Sequence, residues 1–304
     1  MSILESKFGI EFEVCVCDYQ LKQKLNKVDF LAYYYRKIQQ INSELQLNAT
    51  VQSDPQPHRV KHVYDSWFLT LDSTISCSTS QKEPLSFGHI AFRPNEHPLE
   101  PICYFSSVEI VSPITRYTAH DMVNFFEFYE KVIFHKDFLY ETHTSQGMHI
   151  NISHPSIDNL KFIKLWWYFE PVIITFLPET RRSTGMAYPL RDLFKDYGLL
   201  VRNWEQVYKS PVSKFFAVSI KPDRIEIRIV DSNLIPLNVE MWVQFLIQLL
   251  NYSINNSMLS PLEGTPTFDD LFDNYIRPSH PKDPSDCFEF LKDYFKSLQI
   301  KYQV

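Results

Sequence analysis

Four short pieces of the chain, GIEFEV, LTLDST, SVEIVSP with GMHIN, and RIEIRIVDS, place acidic, imidazole or guanidinium groups on strands where ordinary sheet residues would be apolar. In the first, Glu11 and Glu13 point the same way, about 7 Å apart by strand rise, so two carboxylates can face one cavity. Glu-x-Glu by itself is more often a solvated sheet face. Cys15 and Cys17 on the same side make that face less like a water-exposed surface, and a partly enclosed cavity suits both observations. In the last piece Glu226 and Arg228 share one face while Ile225, Ile227 and Ile229 occupy the other. This is either a surface ion pair of small consequence or a carboxylate for a divalent cation beside a guanidinium for phosphate oxygens. Asp72 ends a strand opened by Trp67, although Asp-Ser-Thr alone is more often a turn. Glu109, between Val108 and Ile110, would be costly to bury unless paired or metal-bound. His149 and Asn151 face one side, and Gly147 before them permits close backbone approach; a single strand histidine is more often satisfied in the core or at the surface than a ligand.

The elements that must position these groups are legible from periodicity and punctuation. Phe8 to Cys17 alternates as a strand, Asp29 to Leu45 reads as a helix, and Leu47 to Gln52 and Trp67 to Leu71 read as strands around a turn with Pro55 and Pro57. The chain becomes loop-like from Ser76 to Pro101, then returns to strand from Ile102 to Val111 and stops at Ser112 and Pro113. Thr118 and Asp121 have capping-box spacing before a helix carrying Phe125, Phe126, Tyr129 and Ile133. Gly147 to Ser153 is a short strand. Ser156 to about Phe176 is helical in period, with Pro171 expected to kink or end it. A basic, loop-rich stretch runs from Pro178 to Ser210. Lys214 to Ile220 and Arg224 to Val230 form a hairpin across Lys221, Pro222 and Asp223, and helices follow at Asn238 to Asn255, Phe268 to Tyr275 and from Ser285 onward. Strands mixed with helices in this order predict an α+β protein, its mostly antiparallel sheet carrying helices on one side.

With 304 residues the chain can bury a large core without a metal or disulfide to hold it. A formal net charge of −6 and the lack of a basic stripe argue against nucleic acid as a main partner. The most apolar run, Leu165 to Leu177, is interrupted by Glu170 and Pro171, so no membrane span and a cytoplasmic location are expected. The five cysteines show no CxxC pairing and are expected to be reduced thiols. His58 and His62, separated by Arg59 and Lys61, read as a surface turn rather than a metal site.

Taken in order, GIEFEV, the Trp67 to Ile75 segment, SVEIVSP, GMHIN and the Glu-x-Arg of RIEIR resemble the amidoligase family over Phe8 to Asp231. This family is a branch of the glutamine synthetase and glutamate-cysteine ligase superfamily of carboxylate-amine ligases. The resemblance implies a single catalytic domain over residues 1–304, with a helical part from 238 to 304, and a curved sheet forming an active-site funnel with helices packed outside it. It implies ATP and Mg²⁺ or Mn²⁺ as cofactors. Glu13, Asp72 and Glu109 would ligate one metal, and Glu11, His149 and Glu226 another. Arg228 would hold the transferring phosphate, with Asn151 and Lys214 also beside the nucleotide; Glu13, Glu226 and Arg228 would be the catalytic set. Arg181, Arg182 and Arg202 would bind substrate. The partners implied are a carboxylate and an amine, peptides among them. The chain departs from the family pattern at Ser73, where glycine is usual, at Asn151, where a second histidine is common, and in the length of the loop after Asp72. Two other functions remain open at this level: a phosphotransferase on the same scaffold, and a non-catalytic relative that only binds a nucleotide or peptide.

Overall fold

The structure, a computed structural model, describes residues 3–18, 20–21, 23–55, 65–71, 75, 77, 104–141, 146–182, 187–191, 216–230, 234–256, 264–277 and 287–302. It is α+β, with helices and a mixed sheet that does not close. Contacts divide the chain into two compact units: a first of Gly9–Met148 with Ser232–Val239, and a second of Met1–Phe8, His149–Asp231 and Glu240–Val304.

In the first unit the strand order is β2 (Val51–Asp54), β3 (Trp67–Thr70), β4 (Ser106–Val111), β1 (Lys7–Asp18, here from Gly9). β2 and β3 are parallel, and the other pairs are antiparallel. The alternation of β1 buries Phe12 and Val14 and leaves Glu11 and Glu13 half-buried. The strand is stitched to the SVEIVSP segment at its start, where the Ile10 N–H donates to Ser112 Oγ at 2.8 Å and the Ser112 N–H to the Ile10 carbonyl at 2.8 Å. A short β5 (Thr115–Arg116) follows, and β6 (Phe138–Glu141) pairs antiparallel with the far end of β1. The sequence reading did not anticipate β6.

Helix α1 (Lys27–Glu44) is capped by Asn26, whose Oδ1 accepts from the Asp29 N–H at 2.9 Å. Helix α2 (Ala119–Phe128) starts at Thr118, whose hydroxyl accepts from the Asp121 N–H at 3.2 Å, as the capping-box spacing predicts. The strand expected over Leu47 to Gln52 lies further along, at Val51–Asp54. Gln46 and Asn48 both adopt a positive φ of 56°, and the Asn42 side-chain amide donates to the Ala49 carbonyl at 2.8 Å. That local turn takes up the polar groups a strand would have paired. On the helix side of the sheet Phe12 stacks on Tyr129 with ring centroids 5.0 Å apart, and Trp67 lies 5.1 Å from Phe125 and 5.0 Å from Phe128.

The cysteine expectation is corrected in this unit: Cys15 and Cys77 form a disulfide with Cα atoms 5.6 Å apart, while Cys17 is buried and takes no part in it. The two partners are 62 positions apart. Motif spacing therefore carried no sign of a bond that depends on tertiary approach.

In the second unit β7 (Met148–Ser153, here from His149), β9 (Ile225–Ile227) and β8 (Val218–Ile220) form an antiparallel run in that order. The hairpin turns where expected, with the Lys221 N–H donating to the Arg224 carbonyl at 2.9 Å. Its strands are shorter than the alternation suggests. The helices of this unit include α4 (Glu179–Arg182), α5 (Pro236–Asn255, here from Glu240), α6 (Phe268–Asp270), which a π-helix continues over Leu271–Ile276, and α7 (Cys287–Tyr302). Phe176 is the hub of the core, with Phe295 at 5.0 Å, Phe268 at 5.9 Å and Phe245 at 6.2 Å between ring centroids. No helix among the described residues is long and apolar enough to cross a membrane.

Helix α3 (Asn159–Ile173) runs through Pro171 instead of ending at it, and a 3₁₀ turn carries it on to Phe176. A proline removes the N–H that would bond the carbonyl four residues back, here that of Trp167. Arg191 fills the gap: its Nε–H donates to the Trp167 carbonyl at 3.0 Å and its Nη2 to the Tyr168 carbonyl at 3.2 Å. Glu170, next to the proline and 0% exposed, accepts from the Leu190 and Arg191 N–H groups at 2.7 and 2.8 Å and from Trp166 Nε1 at 3.1 Å. Burial pushes the Glu170 carboxyl up to about 7 from 4.5, against the lowering effect of these donors and of the Arg191 charge. A carboxyl whose pKa is raised by folding contributes stability below the unfolded value and loses it as pH rises through the folded one. The unfolding free energy of the wild type, relative to Glu170→Gln, is therefore expected to fall between pH 4.5 and 7 and to level off above. Urea titrations at pH 5, 6, 7 and 8 measure this, and a pH-independent difference would show that Glu170 does not titrate in that window.

Candidate functional site

In the first unit the carboxylates are placed by strand register. Glu13 lies opposite Glu109 on β4, and Glu109 lies opposite Thr70 on β3, so these three share one face of the sheet. Glu11 is two residues earlier on the same face, opposite Val111. Like charges directly opposite on neighbouring strands repel, and a cation between Glu13 and Glu109 would offset that repulsion. Thr70 and Ser107, whose register partners are Glu109 and Cys15, bury their hydroxyls without a hydrogen-bond partner among the described residues. Buried polar atoms are nearly always satisfied, so such a group points to a water, an ion or a ligand. The donor set of carboxylates and hydroxyls is that of a hard cation such as Mg²⁺ or Mn²⁺. The disulfide partner Cys15 sits two residues past Glu13 on this face.

In the second unit the central residue is Glu226, 4% exposed, which lies opposite Asn151 on one side and Ser219 on the other. His149 Nδ1 is 3.8 Å from Glu226 Oε1. Two ligands at about 2.1 Å from one octahedral ion are about 3 Å apart when adjacent and about 4.2 Å apart when opposed, so this spacing fits a shared ion. Arg228 Nη1 donates to Glu226 Oε1, and Lys221 Nζ contacts Glu226 Oε2 at 2.9 Å. The Arg228 Nε–H and the Ser219 hydroxyl are buried without a hydrogen-bond partner among the described residues. A guanidinium with an unspent donor beside a buried carboxylate is suited to oxygens of a phosphate. Asn151 Oδ1 accepts from Arg224 Nε at 2.9 Å.

The basic residues expected to bind substrate are distributed differently. Arg181 is 4% exposed and its Nη2 donates to the Arg228 and Val230 carbonyls, each at 3.1 Å, which holds the chain after β9. Arg182 donates through Nε to the Leu177 carbonyl at 3.0 Å and through Nη2 to that of Tyr302. These donors serve the fold of the second unit. Asp72, Arg202 and Lys214 lie outside the described residues. Lys221, Ser219 and Arg224 were not singled out from sequence, because a Lys-Pro-Asp turn between two short strands reads as punctuation. Their period-two relation to Glu226 across the hairpin was the available signal.

Carboxylates thus face one another across strands in one unit, and in the other a carboxylate lies among an imidazole, an ammonium and a guanidinium. The family model described as "putative amidoligase enzyme" matches residues 4–197, and the chain belongs to that family. The family supports a ligase-type enzyme, and the matched stretch contains every motif of the sequence reading except the RIEIR strand. None of the curated proteins matches the chain.

Proposed function

We propose that the protein is an ATP-dependent carboxylate-amine ligase that forms an amide or isopeptide bond through an acyl phosphate, on a glutamine synthetase-like funnel. The single observation that carries this reading is Glu226, buried between His149 and Arg228 with the Arg228 Nε–H unspent. A carboxylate and imidazole for a metal, beside a guanidinium for a phosphate, is the division of labour that phosphoryl transfer to a carboxylate needs. In this reading Glu13, Asp72 and Glu109 would hold one Mg²⁺ and Glu11, His149 and Glu226 another, and the chemistry supplied there would be neutralisation of phosphate charge. A carboxylate oxygen of the substrate attacks the γ-phosphorus of ATP, ADP leaves, and an amine nitrogen then attacks the acyl carbon. Inorganic phosphate departs and the amine loses its proton. Arg228 orients the transferring phosphoryl group, while Asn151 and Lys214 contact the nucleotide. No covalent enzyme nucleophile is required, so the disulfide at Cys15 is compatible with the chemistry.

The test is incubation with ATP, Mg²⁺ and mixtures of carboxylates and amines, peptides included, followed by mass spectrometry. ADP, phosphate and a condensation product in equal amounts are expected; a phosphorylated acceptor without an amide would instead identify a phosphotransferase. A binding measurement checks the metal separately. ATP with Mg²⁺ is expected to stabilise the protein by about 2.7 kcal/mol at a hundredfold excess over Kd, and ATP with EDTA by much less, because the nucleotide phosphates need the cation. Equal thermal shifts in the two conditions would count against a metal-bridged phosphate.

A further inference from the structure

We propose that Lys221 is a resident competitor for the metal at Glu226, which a bound divalent ion displaces and which then takes a phosphate of the nucleotide. The proposal rests on Glu226 being a metal ligand and adds a residue that the family reading does not include. Glu226 offers two oxygens: Oε1 is taken by Arg228 and faces His149, and Oε2 is held by Lys221 at 2.9 Å. A divalent ion entering this position competes with these cations for the lone pairs and negative charge of one carboxylate. Arg228 is the more enclosed of the two, with its side chain 18% exposed. Lys221 has a side chain 31% exposed on a flexible stem, and its ammonium is compact and strongly hydrated, so it is the group that leaves. Only the side chain needs to move, because the hairpin turn fixes the Lys221 backbone through its bond to Arg224.

Ser219, two residues before Lys221 and opposite Glu226, buries a hydroxyl with no hydrogen-bond partner among the described residues. The Glu226 face thus already holds an unsatisfied group that an incoming ligand shell could engage. Once displaced, the ammonium remains within its own side-chain length of Glu226, where the metal would bring an anion. Competition for one carboxylate and attraction to the anion give Lys221 opposite effects on the two ligands. Its removal should tighten binding of the bare ion and weaken binding of the metal–nucleotide complex.

The experiment uses the full chain with Lys221→Met and Lys221→Arg beside wild type, titrated calorimetrically with Mn²⁺ alone and with ADP at saturating Mn²⁺. Lys221→Met is expected to bind Mn²⁺ about five- to twenty-fold more tightly and Mn²⁺–ADP more weakly by a similar factor, the usual size of a coupling between sites. Lys221→Arg, which keeps the positive charge, is expected to stay close to wild type for Mn²⁺. If Mn²⁺ binds wild type and Lys221→Met with equal affinity, Lys221 is a plain ion-pair partner and the proposal is overturned while the metal reading stands. If wild type binds no Mn²⁺ at all, both fall together.

Discussion

Exchanging Arg228 for lysine is expected to cut ATP turnover by roughly thirty- to a thousand-fold, on the order of 2 to 4 kcal/mol in the barrier, with the fold retained. The guanidinium spends Nη1 on Glu226 and keeps a buried Nε–H without a partner among the described residues. A planar fork can therefore hold the carboxylate and a phosphate oxygen together, and a lysine ammonium cannot reproduce two parallel bonds. The backbone does not depend on the exchange, since the Arg228 N–H and carbonyl are held by Ala217 and Arg181. ADP release and a thermal melt measured on the same preparation separate the two effects. Release within about threefold of wild type, in a variant that still binds ATP, would remove Arg228 from the catalytic set.

Breaking the Cys15–Cys77 bond is expected to lower stability by about 4 kcal/mol, the loop-closure entropy of cross-linking residues 62 positions apart. Cys77→Ser is the variant to use, because Cys15 is 0% exposed and a serine there would add the cost of burying a hydroxyl. Urea midpoints of wild type with and without dithiothreitol, and of the variant, measure the effect. Three coincident transitions would show that the cross-link contributes nothing to the fold.

Much of what these predictions use was legible in the sequence, for identifiable reasons. Glu11, Glu13 and Glu109 stood out because period-two alternation sets a side chain's face before any tertiary information is needed, and register then put Glu13 opposite Glu109. Thr118 and Asp121 marked a helix start because the capping bond spans only three residues. What was not legible depends on approach of distant chain. The Cys15 partner is such a case, and β6 is a four-residue strand that exists through its pairing with β1. The displaced β2 has a different origin: left-handed Gln46 and Asn48, with Asn42 bonding Ala49, outweighed a weak apolar run. Lys221 was hidden because a turn residue's side chain can reach forward onto the strand that follows it.

Pro171 and Arg191 make a compensated pair. The proline leaves the Trp167 carbonyl without its helical donor, and the arginine restores one from outside the helix. Arg191 thus offsets what Pro171 removes from the helix. An alanine at 171 would supply its own N–H and release position 191 from this duty, so the two positions are expected to drift together among descendants of this chain. Such linked change would mark a repaired helix, to be kept apart from the covariation that a shared substrate imposes.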